Sequence, residues 1–521
     1  MIEKNIIGFS VSSEGETFTQ GFNPETNKPL PGDFSNANFE EVSLAVHKAS
    51  EAFDIYRKIS GKQKSIFLNA IADEIENIGE LLIDRCCAES GLPKARIVGE
   101  RGRTIGQLRM FANFIEEGSW LEASIEIADM DREPIPKPDI RKMLIPMGPV
   151  VVFAASNFPL AFSTAGGDTA SALAGGNPVI VKAHSAHPGT SALIGSAIIK
   201  AAKRTGMPDG VFSLLHGSGK VVGQALINNP GVKAAGFTGS QLAGRILFDL
   251  ANKRKEPIPF FAEMGSVNPV LLLPSALNTK TAEMLSTSIT MGSGQFCTKP
   301  GLLIAIESDF LEEFINDLSN ELEKIKPSLM LTKRICKTYY KDVDLSLSNQ
   351  NVKVESKFQE KNDLNIANSM FVSISGESFI KNSKLAEEIF GPYCILVKCK
   401  NKDELNDILS TLDGQLTGTV FGAEEEIESF IFSINELEKK VGRLIFNGVP
   451  TGVEVCNSMQ HGGPYPASSD SRFTSVGTMA IKRFTRPVAF QSWPDSQLPD
   501  ELKNNNPLNI WRLINGDFTK D

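Results

Sequence analysis

Residues 147–240 decide the fold, because short apolar runs alternate there with stretches of helical character. The apolar runs are MGPVVVFAAS (147–156), NPVIVKAH (177–184), GVFSLLHG (210–217) and VKAAGFTGS (232–240). Glycine or proline flanks them, as is typical of buried strands. Small or amphipathic stretches separate them, among them TAGGDTASALAGG (164–176) and GTSALIGSAIIKAAKRTG (189–206). Strands that alternate with helices predict a doubly wound parallel sheet.

The pattern begins again near Phe260, which predicts a second α/β unit. PVLLLP (269–274) and LLIAIE (302–307) suit buried strands. Helices are predicted over 280–292 and 309–325. Two doubly wound units in one chain are therefore expected.

Other segments lie outside these runs. Apolar residues recur at helical spacing over 65–85 and 97–114, which predicts amphipathic helices. Residues 125–145 are rich in proline and charge and predict an exposed, extended excursion. The polar segment 340–380 is expected to form surface connections. The tail from Ile481 alternates as a strand does and is expected to pair with the 125–145 excursion or with another subunit.

Composition excludes several classes of protein. Of 521 residues, 41% are hydrophobic and 22% charged, which excludes bulk disorder, and the formal charge of −9 disfavours nucleic acid as a partner. The N-terminus lacks the apolar core of a signal peptide, and the longest apolar stretch, 149–162, is too short to span a bilayer. The seven irregularly spaced cysteines indicate neither a disulfide framework nor a metal site. We expect a cytoplasmic protein with free thiols, without metal or membrane.

Two motifs carry groups suited to covalent chemistry. In GSGQFCTKPG (292–301), Cys297 follows a predicted helix in a run of small residues, where backbone amides can favour a thiolate nucleophile. The alternative is a buried, inert cysteine. In FFAEMGSVNP (260–269), apolar neighbours surround Glu263, which predicts a raised pKa and a general base. The alternative is a salt-bridged structural glutamate.

Further motifs offer an amide and phosphate-binding loops. Asn157 of SNFP follows a strand and supplies a neutral donor for an oxyanion, or is a simple turn residue. HGSGKVVG (216–223) fails both the dinucleotide fingerprint and the P-loop pattern. In GFTGSQLAG (236–244), Ser240 and a helix start can bind phosphate. Each glycine cluster taken alone fits a plain turn, and the five histidines give no catalytic pattern.

The order of these motifs resembles the aldehyde dehydrogenase superfamily along nearly the whole chain. The matching segments are SNFP at 156, VIVKAH at 179, GFTGS at 236, FAEMGS at 261, GQFCTKPG at 294 and EEIFGP at 387. The resemblance implies an α/β protein with two doubly wound parallel-sheet domains and a small β bridging or oligomerisation arm. The implied parts are a cofactor-binding domain (1–124 and 147–262), a catalytic domain (263–480), the arm (125–146 and 481–501) and a C-terminal tail (502–521).

The resemblance also implies the roles of single residues. Cys297 matches the nucleophile, Glu263 the base of deacylation, and Asn157 the oxyanion-hole amide. Lys182 matches the lysine at the adenosine ribose, and Ser240 the residue at the pyrophosphate. The other matched cofactor positions are Glu388 and Phe390 at the nicotinamide ribose, and the glycines Gly219, Gly223, Gly239 and Gly244.

One position favours NADP over NAD, with NAD as a possible second cofactor. Many NAD-using members carry a glutamate three residues after the ribose lysine, and here that position is Ser185. Lys220 lies in the neighbouring glycine-rich turn. A carboxylate repels a 2′-phosphate, whereas serine and two lysines accept one.

Within the superfamily, the chain resembles the 2-oxoglutarate semialdehyde (2,5-dioxopentanoate) dehydrogenases in GVPTGVEVCNSMQHGGPYPASSDSRFTSVG and RPVAFQSWP. This implies oxidation of 2-oxoglutarate semialdehyde to 2-oxoglutarate through a thiohemiacetal and a thioester. Arg103 is the candidate cation for the substrate carboxylate. The alternative is that Arg103 is only a solvated or ion-paired arginine of its helix. The residues expected to line the aldehyde tunnel are Phe158, Phe162 and Phe296.

Two other functions remain open at this stage. A branch of bacterial fatty-aldehyde enzymes shares parts of the pattern, so NADP-dependent oxidation of medium or long aliphatic aldehydes is the alternative. A non-catalytic structural protein with the same fold is a remote alternative, because Cys297, Glu263 and Asn157 are all present. Members of the superfamily form dimers and tetramers, which implies a homodimer or homotetramer here.

Overall fold

A computed structural model describes residues 2–357 and 365–520. Its α-helices are α1 Phe39–Tyr56, α2 Gly61–Ile78, α3 Glu80–Ser90, α4 Lys94–Glu117, α5 Gly167–Ala174, α6 Pro188–Arg204, α7 Gln224–Asn228, α8 Gln241–Lys253, α9 Thr279–Thr290, α10 Asp309–Lys324, α11 Lys333–Leu347, α12 Gly376–Ile380, α13 Lys402–Thr411 and α14 Ile431–Glu438.

The strands of the first half are β1 Ile2–Glu3, β2 Asn5–Ile7, β3 Ser10–Ser12, β4 Phe18–Asn23, β5 Lys28–Ser35, β6 Ser124–Glu126, β7 Ile140–Pro146, β8 Val150–Phe153, β9 Val179–Lys182, β10 Phe212–Leu215, β11 Ala234–Thr238 and β12 Phe260–Glu263. Those of the second half are β13 Val270–Leu272, β14 Leu302–Ile306, β15 Ser328–Leu329, β16 Lys353–Lys357, β17 Ile366–Ala367, β18 Met370–Ser375, β19 Tyr393–Cys399, β20 Gln415–Phe421, β21 Val441–Phe446, β22 Thr485–Gln491, β23 Arg512–Ile514 and β24 Asp517–Thr519.

The first large sheet has the order β12-β11-β8-β9-β10-β2-β3, and its first five strands are parallel. Alternation along a strand explains its two covered faces. Val150 and Val152 pack into a core with α2, α4 and α6, whereas Val151 and Phe153 point to a second core under α1, α7 and α8. Every side chain of β8 is buried, as the apolar run predicts.

The second large sheet has the order β16-β18-β19-β14-β13-β20-β21. It also separates two cores: Leu271 of β13 faces α11 and α13, while Val270 and Leu272 face α9 and α10. The predicted class, two doubly wound α/β units, is thus confirmed. The sheets are not purely parallel, however, because β2 pairs antiparallel with both β10 and β3, and the edge strand β16 pairs antiparallel with β18.

Two local predictions were wrong. The apolar periodicity over 65–85 runs across two helices, α2 and α3, because Gly79 between them takes φ of +64° and ends the first helix. The 340–380 segment was expected to be surface connections, yet it includes the end of α11 and the buried strand β18. Residues 358–364 of that segment lie outside the described residues.

A five-stranded sheet of order β22-β7-β6-β23-β24 stands apart from the two α/β units. Thr485–Gln491 pairs antiparallel with Ile140–Pro146, which is the first of the two pairings expected for the tail. Residues 512–514 and 517–519, within the predicted C-terminal tail, add two strands to this sheet. The limits of the three predicted domains stay a prediction.

Candidate active site

A sharp turn places the sulfur of Cys297. Helix α9 ends at Thr290, and the chain then turns through Gly292, Ser293 and Gly294, all with positive φ. A Cβ on Gly294 would lie 2.3 Å from the carbonyl of Gly391, so only glycine fits this approach. The turn delivers Cys297 to a cavity while its neighbours on both sides stay buried.

The side chain of Asn268, just before the neighbouring strand β13, fixes this loop. Its Nδ2 donates to the carbonyl oxygens of Cys297 at 2.8 Å and Lys299 at 2.9 Å, and its Oδ1 accepts from Thr417 at 2.8 Å. Asn268 itself has φ of +49°, a conformation that asparagine tolerates better than most residues. The sequence analysis quoted this residue in SVNP without giving it a role, since its contacts span 29 and 149 residues.

His461 lies between the predicted nucleophile and the predicted base. Its Nε2 is 3.7 Å from the Sγ of Cys297 and 3.3 Å from Oε2 of Glu263. The loop after β21 is held against β12, because Met264 N–H donates to the Ala467 carbonyl and Ala262 N–H to the Ser469 hydroxyl. The sequence analysis missed His461, because a single histidine 164 residues from the cysteine gives no local signal.

Burial keeps this trio uncharged near neutral pH. It raises the pKa of Glu263 to about 8 and lowers that of His461 to about 3. It also raises the pKa of Cys297 to about 12, an effect that the nearby carboxyls of Glu263 and Glu388 increase. The contact between His461 and Glu263 therefore joins two neutral groups and is not an ion pair. A thiol so reluctant to ionise needs a base beside it.

Asn157 follows β8 and reaches the same loop. Its Nδ2 donates to the carbonyl of Gln295 at 3.1 Å, two residues before the cysteine. The amide carries a second N–H, which is the one available to an oxyanion. The structure thus brings Asn157, Glu263 and Cys297 together, and their roles stay predictions.

The cavity in front of Cys297 has a volume of about 320 Å³. Phe158, Phe162 and Phe296 line it, with Phe158 centred 5.3 Å from each of the other two rings. Arg103 also lines it, with its guanidinium 5.6 Å from the Phe162 ring centre. Nη1 of Arg103 donates to the Val453 carbonyl at 2.8 Å. Its Nε and Nη2 are buried and have no hydrogen-bond partner among residues 2–357 and 365–520.

The predicted cofactor residues lie at the carboxyl ends of the first sheet. Lys182 is the last residue of β9 and is buried, which lowers its pKa to about 8, and Ser185 after it is exposed. Lys220 lies on an exposed five-residue π-helical turn over Gly219–Gly223 that follows β10. Ser240 caps the N-terminus of α8, where its hydroxyl accepts from Ala243 N–H.

The glycines of this region separate into open and packed positions. A Cβ on Gly219 would meet no atom within 4 Å, whereas one on Gly223 would come within 3.0 Å of the Phe153 ring. Cβ atoms on Gly239 and Gly244 would come within 2.7 Å of the Phe237 ring and 2.9 Å of Met264. These glycines let α8 start close to β11. The exposed start of α8 and the buried cation of Lys182 fit a dinucleotide's phosphates and ribose.

Glu388 lies on the side of the second unit, followed by the partly buried Phe390. Its carboxylate fills the space beside Gly265, where a Cβ would lie 2.1 Å from Oε2. Burial raises the pKa of Glu388, while the charge of Lys299 and a hydrogen bond from Ser266 N–H oppose that shift. Lys299 is itself buried and donates to the Tyr393 carbonyl at 2.7 Å. This lysine is a second residue that the sequence analysis did not single out.

Comparison with known proteins decides the family. The model of the aldehyde dehydrogenase family matches residues 10–335. The chain belongs to this family. Two curated relatives are similar over nearly their full lengths: alpha-ketoglutaric semialdehyde dehydrogenase 2 of Azospirillum brasilense, 45% identical over 98% of this chain and 98% of the relative, and alpha-ketoglutaric semialdehyde dehydrogenase of Acinetobacter baylyi, 44% identical over 99% and 98%.

Solved structures agree on the fold of this aldehyde dehydrogenase. An aldehyde dehydrogenase of Physcomitrella patens in complex with the reaction product succinate is 20% identical, has a TM-score of 0.78 and covers 94% of this chain and 98% of its own. The 1-pyrroline-5-carboxylate dehydrogenase of Thermus with bound NAD is 19% identical, has a TM-score of 0.79 and covers 94% and 92%. The predicted enzyme class is therefore confirmed, and enzymes of this family use NAD or NADP.

The described residues offer neither a membrane-spanning helix nor a cluster of metal ligands. Residues 2–357 and 365–520 contain no helix long and apolar enough to cross a membrane. Over the same ranges, no group of three or more His, Cys, Asp or Glu side chains is placed to hold a metal ion. The seven cysteines are all free thiols.

Proposed function

We propose that this aldehyde dehydrogenase oxidises 2-oxoglutarate semialdehyde to 2-oxoglutarate, with NADP as the preferred cofactor. The names of the two relatives that are 44 and 45% identical support the substrate. The observation that carries the proposal is the guanidinium of Arg103 in the cavity of Cys297. Its two buried N–H groups, which have no partner among the described residues, suit the carboxylate of an ω-semialdehyde acid.

The first step is removal of the thiol proton. Glu263 must first ionise, which its raised pKa of about 8 permits in a fraction of molecules near neutral pH and in most above it. Because Nε2 of His461 is near both Sγ and Oε2 of Glu263, this nitrogen then takes the proton from Cys297 and passes it to the Glu263 carboxylate. The S–H bond breaks, an N–H bond forms, and the proton ends on the carboxyl oxygen. The proton thus crosses only two contacts, from Sγ to Nε2 and from Nε2 to Oε2.

The thiolate then attacks the aldehyde carbon and the carbonyl oxygen becomes an oxyanion. The second N–H of Asn157 and the backbone N–H of Cys297 donate to it. One such donor lowers the barrier by about 3 kcal/mol. The aromatic rings around the sulfur keep bulk water away from the thiohemiacetal.

Deacylation completes the reaction. A nicotinamide held beside Glu388 and Phe390 would supply the hydride acceptor for oxidation of the thiohemiacetal to a thioester. Glu263, which has lost its proton to solvent, then removes a proton from water, and the hydroxide attacks the thioester carbon. The C–S bond breaks, the acid leaves, and the sulfur regains a proton.

The NADP preference rests on charge at the adenosine end. Lys182, Ser185 and Lys220 follow neighbouring strands, β9 and β10, of one sheet. Ser185 offers a hydroxyl where a glutamate would repel a 2′-phosphate. Ser240 and the start of α8 are proposed for the pyrophosphate, Glu388 and Phe390 for the nicotinamide ribose, and the four glycines of this region for close approach of the cofactor.

We further propose a homodimer or homotetramer that forms through the arm of residues 125–146 and 481–501. Strand β22 is at one edge of its sheet, and such an edge accepts another strand. The cytoplasm is the proposed compartment, since its reducing conditions keep Cys297 a thiol. Light scattering tests the assembly, and a mass equal to one chain of 56.6 kDa would contradict it.

The second candidate is oxidation of medium or long aliphatic aldehydes, which the three phenylalanines of the cavity favour. Steady-state rates with 2-oxoglutarate semialdehyde and hexanal, each with NADP and NAD, separate the two. We expect kcat/KM to be higher for 2-oxoglutarate semialdehyde than for hexanal. A preference for hexanal would overturn the proposed substrate and leave the enzyme class intact.

A further inference from the structure

A second arginine lines the cavity of Cys297. Arg96 and Arg103 both belong to α4 and are seven residues apart, which places them on one face about two turns from each other. The charge of Arg96 contributes to lowering the pKa of Arg103, so the two guanidinium groups are electrostatic neighbours. The sequence analysis considered only Arg103.

Aromatic rings and one carboxylate hold Arg96 in place. Its guanidinium carbon is 4.5 Å from the centre of Phe158 and 4.7 Å from that of Phe296, the residue before the nucleophile. Its Nε is 3.5 Å from Oε2 of Glu100. Glu100 is fixed in turn, because its Oε1 accepts from the backbone N–H groups of Leu160 and Ala161.

Arg96 nevertheless keeps donor capacity for a ligand. Its Nη2 is buried and has no hydrogen-bond partner in the described part of the chain. A buried N–H without a partner is costly, and two guanidinium groups repel each other, so an anion that meets both relieves two penalties. Arg443 offers less, because both of its terminal nitrogens already donate to the carbonyls of Gly452 and Pro450, which leaves only its buried Nε without a partner in the described part of the chain.

The chemistry of a 2-oxo acid matches two arginines better than one. A simple carboxylate has two oxygens, which one guanidinium binds side by side. A 2-oxo acid adds a ketone oxygen in the same plane, which needs a further donor. We propose that Arg96 recognises the 2-oxo group of the substrate while Arg103 binds its carboxylate, so that Arg96 selects 2-oxo semialdehydes over simple ones. This inference rests on the proposed function.

Paired substrates test the assignment. Kinetics are measured with 2-oxoglutarate semialdehyde, with glutarate semialdehyde, which has the same chain length without the ketone, and with hexanal. Arg96→Met is expected to lower kcat/KM for the 2-oxo substrate about tenfold or more, mainly through KM, and to change the other two less than about twofold. Arg103→Met is expected to lower kcat/KM for 2-oxoglutarate semialdehyde and glutarate semialdehyde alike and to leave kcat/KM for hexanal unchanged.

Controls separate recognition from folding. Arg101→Met removes an arginine from the same helix outside the cavity, where it donates to the Gly79 carbonyl, and is expected to leave all three rates unchanged. Arg96→Lys keeps the charge without the fork and is expected to recover part of the loss. Melting temperatures accompany each variant, so a loss confined to one substrate cannot be a folding defect.

A binding measurement gives a readout apart from turnover. With Cys297→Ala as background, 2-oxoglutarate is expected to bind more tightly than glutarate, and Arg96→Met to remove that difference. Equal losses for the 2-oxo and simple acids in Arg96→Met would overturn the inference while leaving the proposed substrate standing. A wild-type enzyme that prefers hexanal would overturn the proposed substrate and the inference with it.

Discussion

The cavity around Cys297 and the cofactor cleft at the end of the first sheet use charge in opposite ways. In the cavity, Cys297, Glu263 and His461 are shielded from water, and burial moves each pKa toward the neutral form. At the adenosine end, Ser185 and Lys220 are exposed, and water screens the charge of Lys220. A substitution of one side chain should therefore lower activity far more in the cavity than in the cleft. Four substitutions test this difference.

The largest effect is expected from Cys297→Ala. Without the sulfur no thiohemiacetal forms, so dehydrogenase turnover should vanish while NADP binding, followed by fluorescence, stays unchanged. Cys456→Ala, which removes an exposed free thiol, is the matched control. Retained turnover in Cys297→Ala would refute the assignment of Cys297 as the nucleophile.

Glu263→Gln should come second. Because a general base contributes about 10²- to 10⁴-fold, steady turnover should fall by that order. A burst of reduced cofactor should remain but form more slowly, because the thiol proton also loses its acceptor. In the wild type, raising the pH through about 8 ionises Glu263, so the steady rate should rise over that range, and the variant should lose this dependence. Glu256→Gln, at an exposed carboxylate paired with Lys233, is the control. A wild-type rate in Glu263→Gln removes this residue from the mechanism.

His461→Gln probes proton removal from the thiol. Alkylation of Cys297 by iodoacetamide should slow about tenfold to a hundredfold, because the amide cannot carry the proton from sulfur to Glu263. The burst of reduced cofactor should slow in parallel. His47→Gln, which removes an exposed histidine of α1, should alter neither rate. Unchanged alkylation in His461→Gln would mean that the thiol proton takes another route.

The smallest effect is expected in the cleft, from Ser185→Glu. The new carboxylate should raise KM for NADP about tenfold and leave KM for NAD nearly unchanged, and added salt should weaken the effect because the position is exposed. The control is Ser196→Glu, which places the same charge on an exposed position of α6. Equal changes for both cofactors would locate the 2′-phosphate elsewhere.

Local chemistry made several elements predictable. The all-buried strands β8 and β9 follow from continuous apolar runs, and α10 was predicted to within one residue at its end. Gly79, by contrast, divided a periodic stretch into α2 and α3, because apolar spacing does not reveal a change of direction. Strand β18 was missed because its run is flanked by polar residues, and its burial comes from β19 and β16 beside it.

The sequence by itself determined the two α/β units, the family and the loop that carries Cys297, because each depends on short local motifs or on their order along the chain. Only the tertiary structure revealed that His461 contacts both Cys297 and Glu263, that Asn268 holds the loop, and that Arg96 faces the same cavity as Arg103. Contacts of this kind join residues that are distant in the chain, 29 positions apart for Asn268 and Cys297 and 164 for Cys297 and His461, or depend on which way a helix face turns. Packing fixes them, and no local pattern records them.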